Sequence, residues 1–557
     1  MLSPFLILTL VSQISAQTWC NKNYLQGQPV VPPGGQFQVP GSSSAPLLVF
    51  RCAPIVTPYL EEDDEAGVLV ETFVTFVQYG GAERIAEPTG AEVLDVSISM
   101  DGSMLATAVV SFNSTSELYF PLANLSQPRK QPFRIDCTAS YTSNPFLETR
   151  TFSATTALSY LPRPPSGSVT KRDARTGALL VKPPNGGLYE AIFPIGFYTS
   201  FDNYLESDLL ILDSLKEQGF TIVHPVPTFG NLDALEKVLD HMEELGLYLV
   251  YDMRHTYTDL EVLTAEVNMI KGRPNLLLWY TADEPDGTSA PLAAPRRAYD
   301  AIYALDGYHP VSIALNCADY EFAAYTAGAD IVMPDTYPIA NDPLFSSKYN
   351  TSCTPDFGCC GCDNCRGEFE DIPRRLDDFA LRLDALGRAR AHAVWAVPQA
   401  FGGEEFWVRP PTGREFAIQV ILSINHGARG IMSWIDPTPP DIKRTASALA
   451  TALTSVAAGF IFSPRAKFSY RASGRVDVGM WTVGAETLVL VANMDVRAAE
   501  VVLPLSDALE LREELNYGAR RRLEGHGELG LELEGLGWAV LVVHPPIFKL
   551  NAQGDEL

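Results

Sequence analysis

The chain has 557 residues, 46% of them hydrophobic, and a formal net charge of −26. That apolar share excludes general disorder, and the negative charge repels nucleic-acid phosphates and anionic membrane surfaces, so neither is an expected partner. The length exceeds one compact core and predicts three or four domains at about 150 residues each, or fewer if one is a barrel.

Residues 1–16, "MLSPFLILTLVSQISA", hold an apolar core too short to span a bilayer, followed by small residues around Ala16. This is the pattern of a cleaved secretory signal, although it lacks a basic start. No later stretch reaches the roughly 18 to 20 uninterrupted apolar residues of a transmembrane helix, so membrane insertion is not expected. The mature chain is expected to be secreted. Acceptor triplets for N-glycosylation start at Asn113, Asn124 and Asn350 and fit that compartment. The closing "GDEL" resembles the lumenal retention tetrapeptide but has Gly554 where Lys or His is usual, which leaves retention in the endoplasmic reticulum as the alternative destination.

Nine cysteines in an oxidising compartment should mostly pair. Cys52 and Cys137 are expected to staple the N-terminal domain. Five more crowd into "CTPDFGCCGCDNC", at Cys353, Cys359, Cys360, Cys362 and Cys365. The C-x-x-C element there also suits zinc, but in a secreted chain disulfides are the expected state, with no metal and no cofactor. The odd total leaves one thiol over, expected at Cys20 or Cys317. Connectivity is not fixed by spacing.

In chain order, residues 17–165 carry short alternating runs such as "LVETFVTFVQY", "VLDVSISM" and "PFRIDCTASY" between Gly, Ser, Asn and Pro, which reads as an antiparallel β-sandwich. "LPRPPSGSVTKRDARTG" reads as a linker. Over residues 175–460 apolar runs alternate with amphipathic stretches. The strand-like runs are "AIFPIGFY", "FTIVHPVP", "LYLVYDMRH", "LLLWYTADEP", "PVSIALN", "DIVMPDTYPI", "AVWAVPQAF" and "GIMSWID". Eight such units over about 250 residues are the count of an α/β (β/α)8 TIM barrel. A doubly wound open sheet is the alternative, but no glycine-rich phosphate loop follows the first strand. Residues 461–546 return to alternation and predict a C-terminal β-sandwich; residues 547–557 are a tail.

In such a barrel the C-terminal strand ends converge on one face, which hosts the active site. Here those ends supply Tyr198, His224, Asp252, Arg254, Asp283, Glu284, Asn316, Asp335, Tyr337, Gln399, Trp434 and Asp436. Each has a bland reading: His224 as a satisfied core residue, Arg254 as a partner of Asp252, Asp335 as a helix cap. Together they suggest a carbohydrate cleft, with Trp279, Tyr337, Trp407 and Trp434 available to stack on sugar faces.

The order "FPIGFY", "WYTADEPDG", "DIVMPDTYPI", "VPQAFGG" and "GIMSWID" resembles the clan of retaining (β/α)8 glycoside hydrolases with an acid/base Glu in Asn-Glu-Pro after the fourth strand. It is most similar to the β-galactosidase and β-glucuronidase type. The resemblance implies that Glu284 is the acid/base and that Asp283 stands where the clan has Asn, with Pro285 matching. It also implies a nucleophilic Glu at the seventh strand end, where this chain has Gln399, an amide that cannot attack an anomeric carbon. Glu404 and Glu405 follow a few residues on.

Three functions are compatible with this. A secreted glycoside hydrolase acting on an oligosaccharide, polysaccharide or glycoconjugate would draw its second carboxylate from Asp335 or Glu405, with the two groups about 5 to 5.5 Å apart for retention or 6.5 to 9.5 Å for inversion. A substrate-assisted N-acetylhexosaminidase would use Asp283 to orient a 2-acetamido group while Glu284 protonates the leaving oxygen. A protein without catalysis would only bind carbohydrate. Asp252, Asp283 and Asp335 as oxygen ligands for a cation are a further, weaker option. Asp335 ranks first as the second group, Asp283 second and Glu405 third, because a rigid strand end positions a carboxylate better than a loop. Sugar, linkage and oligomeric state are not encoded legibly.

Overall fold

The computed structural model describes residues 18–88, 90, 92–141, 149–183, 186–504, 510–524 and 528–544. The leader expected over 1–16 and the tail over 547–557 lie outside the described residues.

The N-terminal alternation folds as expected. Glu65–Val77 lies between Ser42–Pro54 and Ser114–Pro121 in a four-stranded sheet, and Arg129–Tyr141 lies between Arg150–Leu161 and Val93–Met100 in a five-stranded one. Every second residue points inward, so Leu48, Val68 and Val70 of one sheet meet Ile98, Ile135 and Leu158 of the other in one buried cluster. Cys52 and Cys137 join the two sheets across that core. Asn113, Asn124 and Asn350 are all exposed.

The segment read as a linker is partly a strand. Lys171–Asp173 is buried and pairs with Leu179–Val181 and with Val56–Thr57 of the sandwich. Its charges are tolerated because Lys171 bonds Asp63 at 2.6 and 2.8 Å, and Asp173 accepts from Arg175 at 2.7 Å. This small sheet closes the bottom of the barrel, where Leu179 and Val181 join the interior cluster.

The barrel strands are β1 Ile195–Ser200, β2 Ile222–Val226, β3 Tyr248–Asp252, β4 Leu276–Asp283, β5 Val311–Leu315, β6 Ile331–Pro334, β7 Ala393–Val394 and β8 Ile431–Asp436. They pair in parallel from β1 round to β7, and β8 pairs with β1. Beyond β7 the chain closes the ring by hydrogen bonds from Ala396 N to Gly430 O at 3.0 Å, Met432 N to Ala396 O at 3.0 Å and Trp434 N to Pro398 O at 3.1 Å. Closure excludes the open sheet. Inward positions Tyr198, Ile222, Val250, Leu278, Met333, Trp395 and Met432 fill the interior, while their neighbours Phe197, Val223, Leu249, Trp279, Val332 and Ile431 face the helices.

The main outer helices are α1 Leu210–Glu217, α2 Leu232–Glu244, α3 Leu260–Ile270, α4 Ala294–Leu305, α5 Phe322–Tyr325, α6 Asp371–Ala385, α7 Gly413–Asn425 and α8 Pro440–Ala452. α7 starts at a capping box formed by Thr412 and Glu415 and is buried on nearly every face. Its outer side is covered by the C-terminal domain, where Asn425 Nδ2 donates to Asp477 Oδ1 at 2.6 Å, which explains a helix apolar all round.

The C-terminal domain is one six-stranded antiparallel sheet, not two separate sheets. Glu528–His544 pairs with Ala499–Pro504 along its first half and with Glu486–Asn493 along its second. Val478, Val489, Val501, Leu503, Leu529 and Leu541 from these parts share one apolar cluster. Among the described residues no helix is long and apolar enough to cross a membrane.

Candidate active site

The residues that close β4 build the centre of the site. Asp283 ends the strand, and Glu284 turns the chain with φ of 47°, a left-handed conformation that non-glycine residues rarely adopt and that is held only where surroundings over-determine it. Asp286 supplies that restraint: its Oδ1 accepts from Gly287 N at 2.9 Å and Asn316 N at 3.2 Å, and its Oδ2 from Cys317 N at 2.8 Å. The β4 and β5 ends are thereby locked together.

Glu284 and Asp335, from the β4 and β6 ends, are brought together under one amide. Asn316 lies over the pair and donates from Nδ2 to Glu284 Oε1 at 3.0 Å and to Asp335 Oδ1 at 3.3 Å. Burial raises both carboxyl pKa values, and each carboxylate's repulsion of its neighbours opposes loss of the last proton. The two therefore titrate as one unit that keeps a proton well above the usual carboxylate range.

Beside them stands a charged relay. Arg254 Nε donates to Asp252 Oδ2 at 2.7 Å, and its Nη1 to Asp283 Oδ2 at 2.6 Å. Tyr280 donates its phenolic hydrogen to Asp283 Oδ1 and receives one from Tyr198 at 3.1 Å. His224 is buried, bonds Asp252 at 2.7 Å, and has ring centroids 4.3 Å from Tyr198 and 4.7 Å from Tyr280. Burial lowers the His224 pKa despite Asp252, so the ring is neutral near pH 7. Burial pushes Asp252 the other way, but Arg254 and His224 outweigh it and hold that carboxylate ionised. The guanidinium lies 5.2 Å from the ring centroid of half-buried Trp434.

The structure brings together Glu284, Asp335, Asp283, Arg254, Asn316, Asp252, His224, Tyr198 and Trp434. Tyr337 is buried behind Asp335, with Trp407 edge-on against it at 5.9 Å and donating Nε1 to the Tyr337 carbonyl at 2.9 Å. Trp407 thus braces the wall and is 8% exposed.

Four expected contributors lie elsewhere. Gln399 is fully buried, exchanging bonds with Ile339 N and O at 3.1 Å each and donating to Phe401 O at 3.2 Å, so its amide fastens loops. Glu405 is exposed and ion-paired with Lys348. Asp436 is buried against Tyr204 at 3.1 Å and Lys443 at 2.5 Å. Trp279 faces the helices and donates Nε1 to Asp306 Oδ2 at 2.8 Å, so it cannot stack on a sugar.

The cysteine-rich loop does reach the rim. Cys353 pairs with Cys360 and Cys362 with Cys365, and together with Trp19, Lys22 and Asn316 this loop lines a cavity of about 400 Å³. Two expectations are corrected: Cys20 and Cys317 pair with each other, and the unpaired thiol is Cys359. Burial pushes the Cys359 thiol up to about 11. The one trio of candidate metal-ligand atoms within 4.8 Å among the described residues is Cys20, Cys317 and Asp363, and two of these are spent in a disulfide. Asp252, Asp283 and Asp335 form no such group. A larger cavity of about 830 Å³, lined by Arg172, Arg390, Lys130 and His392, sits where the sandwich meets the N-terminal ends of β6 and β7, remote from the carboxyl pair.

Residues invisible to the strand-end rule also matter. Tyr280 follows from alternation along β4, since Leu278 and Tyr280 face inward where Trp279 faces out. Trp19, whose Nε1 donates to Asn316 Oδ1 at 2.9 Å, had no sequence signal beyond its neighbour Cys20.

No family model matches the chain. No curated protein matches it either. Among solved structures, the chain is similar to an FMN-binding beta-glucuronidase from Facaelibacterium prausnitzii L2-6, at 12% identity and a TM-score of 0.35, covering 88% of this chain and 74% of that one. It is similar to a glycosyl hydrolase family 2 member from Bacteroides cellulosilyticus DSM 14838, at 11% identity and a TM-score of 0.33, covering 89% and 76%. A GH30 endoxylanase from Clostridium papyrosolvens C71 overlaps at 11% identity and a TM-score of 0.40, covering 64% of this chain and 97% of that one.

Proposed function

We propose that the chain is a secreted glycoside hydrolase in which Glu284 protonates the leaving oxygen. The observation that carries this is the Glu284–Asp335 pair at the barrel mouth, a half-buried and a buried carboxyl that share the Asn316 amide and whose hold on a proton is raised by burial. A site made only for binding has no need of a proton held there.

The same contact argues against Asp335 as nucleophile. Carboxyls that flank a sugar stand about 5 Å or more apart, whereas these two are drawn together by a single nitrogen, Asn316 Nδ2, at 3.0 and 3.3 Å. With Gln399 and Glu405 engaged elsewhere, substrate assistance is favoured, because Asp283 is held at the rim by Arg254 and Tyr280. In that mechanism the acetamido oxygen of the substrate attacks the anomeric carbon as the glycosidic C–O bond breaks. The carboxyl-pair proton passes to the leaving oxygen, and the Asp283 carboxylate accepts the acetamido N–H and offsets the oxazolinium charge. Water then opens the ring and returns a proton to the pair. Arg254 is matched by Asp252 and Asp283, and the pair retains one further negative charge, so an anionic sugar such as a uronate is disfavoured.

Aryl glycosides paired with and without a 2-acetamido group test this. Turnover is expected with the acetamido member alone, and Asp283→Asn should lower it at least ~10²-fold. Equal turnover of both members would restore Asp335 as the second group, and no turnover of any glycoside would leave a carbohydrate-binding protein. Secretion belongs to the same proposal, supported by four disulfides; glycan removal should lower the mass if Asn113, Asn124 or Asn350 is modified.

A further inference from the structure

We propose that Trp19 is a positioning residue for the Glu284–Asp335 pair, brought to the barrel mouth by the Cys20–Cys317 disulfide; the inference rests on that pair being the working centre of the site. Thr18–Trp19 and Lys22–Asn23 form a two-stranded hairpin lying across the rim. Cys20 N donates to Gly287 O at 3.1 Å, and Lys22 pairs with Asp363 and donates to Asn364 Oδ1 at 2.8 Å. Gly287 is required for this approach, because a Cβ there would stand 2.5 Å from the Trp19 ring.

Asn316 is held on its backbone by Asp286, and its carbonyl accepts from Arg375 Nη1 at 2.8 Å. Neither contact decides which end of the side-chain amide meets the carboxyls. Trp19 does, because an indole nitrogen is a donor only. It bonds Oδ1 at 2.9 Å, which turns Nδ2 toward Glu284 and Asp335. Flipped, the amide would present an oxygen to a carboxylate. Donated N–H bonds favour the ionised form, so losing their orientation raises the proton affinity of the pair. The disulfide tethers this arrangement across 297 residues of sequence.

Trp19→Phe in the full chain removes the N–H and keeps an aromatic ring. The probe is the infrared carbonyl band of the protonated pair, followed against pH and assigned with Glu284→Gln and Asp335→Asn. Its midpoint is expected to rise by about 0.5 to 1 pH unit, the scale of one reoriented hydrogen bond to a charged group. On a substrate that turns over, kcat should fall about 10-fold with KM within about twofold and with the pH profile moved the same way, the split expected when binding is untouched. Should Trp19→Phe not fold, the Cys20→Ser/Cys317→Ser double variant keeps the indole and removes its tether, and the same upward shift is expected. An unmoved midpoint in whichever variant folds overturns the inference. If the wild type hydrolyses no glycoside, the proposed function falls while the infrared midpoint still decides the role of Trp19.

Discussion

Arg254 donates from Nη1 to Asp283 Oδ2 across 2.6 Å while its Nε holds Asp252 at 2.7 Å, so one guanidinium ties a buried carboxylate on β3 to a half-exposed one on β4. Its remaining Nη2 has no partner among the described residues.

Replacing this cation leaves Asp252, whose side chain is 0% exposed, with a neutral His224 and the backbone N–H of residue 254 at 2.8 Å but no compensating charge. Arg254→Gln should therefore cost about 3–5 kcal/mol, the usual effect of breaking a buried pair. Asp252 is depressed in the folded state, so the stability it contributes is present above the unfolded value of about 3.9 and is lost as pH falls through the folded one. Urea unfolding at pH 7 and pH 4 should show a larger deficit at pH 7. A deficit below about 1 kcal/mol at pH 7 would mean that Asp252 is compensated from elsewhere.

The Glu284–Asp335 pair predicts the opposite slope. Both pKa values are raised on folding, so their contribution is complete below the unfolded values of about 3.9 and 4.3 and is lost as pH climbs through the folded ones. Asp335→Asn removes the like charge and keeps a donor for Glu284. Its stability should match wild type near pH 4 and exceed it at pH 8 in chemical denaturation. Parallel pH profiles would show that the two carboxyls are not coupled.

The barrel was legible because its strands are short, mostly apolar runs that alternate with amphipathic stretches. The seventh, "AVWAVPQAF", is a regular strand only at Ala393–Val394 and continues as isolated bridges at Ala396 and Gln399, with Pro398 between them unable to donate to a ladder. Strand-end reasoning found Glu284, Asp335, Asp283, Arg254 and Asn316, since it says which residues reach the rim. It does not say where side chains point, and so it admitted Gln399 and Asp436, just as the stacking set admitted Trp279, which faces the helices. A register shift between Tyr280 and Ala282 moves the last residues of β4 off simple alternation. Trp19 was out of reach because its partner lies 297 residues away and only a disulfide brings them together.

That disulfide pattern makes a count. Denatured without reductant, the protein should take up one equivalent of thiol reagent, at Cys359, and peptide mapping should recover Cys20 with Cys317. In the native state labelling should be slow near pH 7, since the thiol is buried and its pKa is pushed up to about 11. Label on Cys20 or Cys317 in the unreduced chain would contradict the pairing.

Gln399→Glu introduces the residue type that the sequence resemblance implies after the seventh strand, and it is expected to fail as a gain of function. The Gln399 amide donates from Nε2 to the carbonyls of Ile339 and Phe401 at 3.1 and 3.2 Å. A carboxylate there would face two carbonyl oxygens in a fully buried position, with only Ile339 N at 3.1 Å to favour it. Two donors are lost and a charge is desolvated, so stability should drop by about 2–5 kcal/mol, and the introduced acid should stay protonated near neutral pH. Neither state offers a nucleophile, because the side chain points into the loops behind Tyr337 and away from Glu284. Thermal unfolding should show the loss, and 2-hydroxy aryl glycosides should be turned over no faster than by wild type. A stable variant that gains activity on those substrates would mean that residue 399 reaches the anomeric carbon.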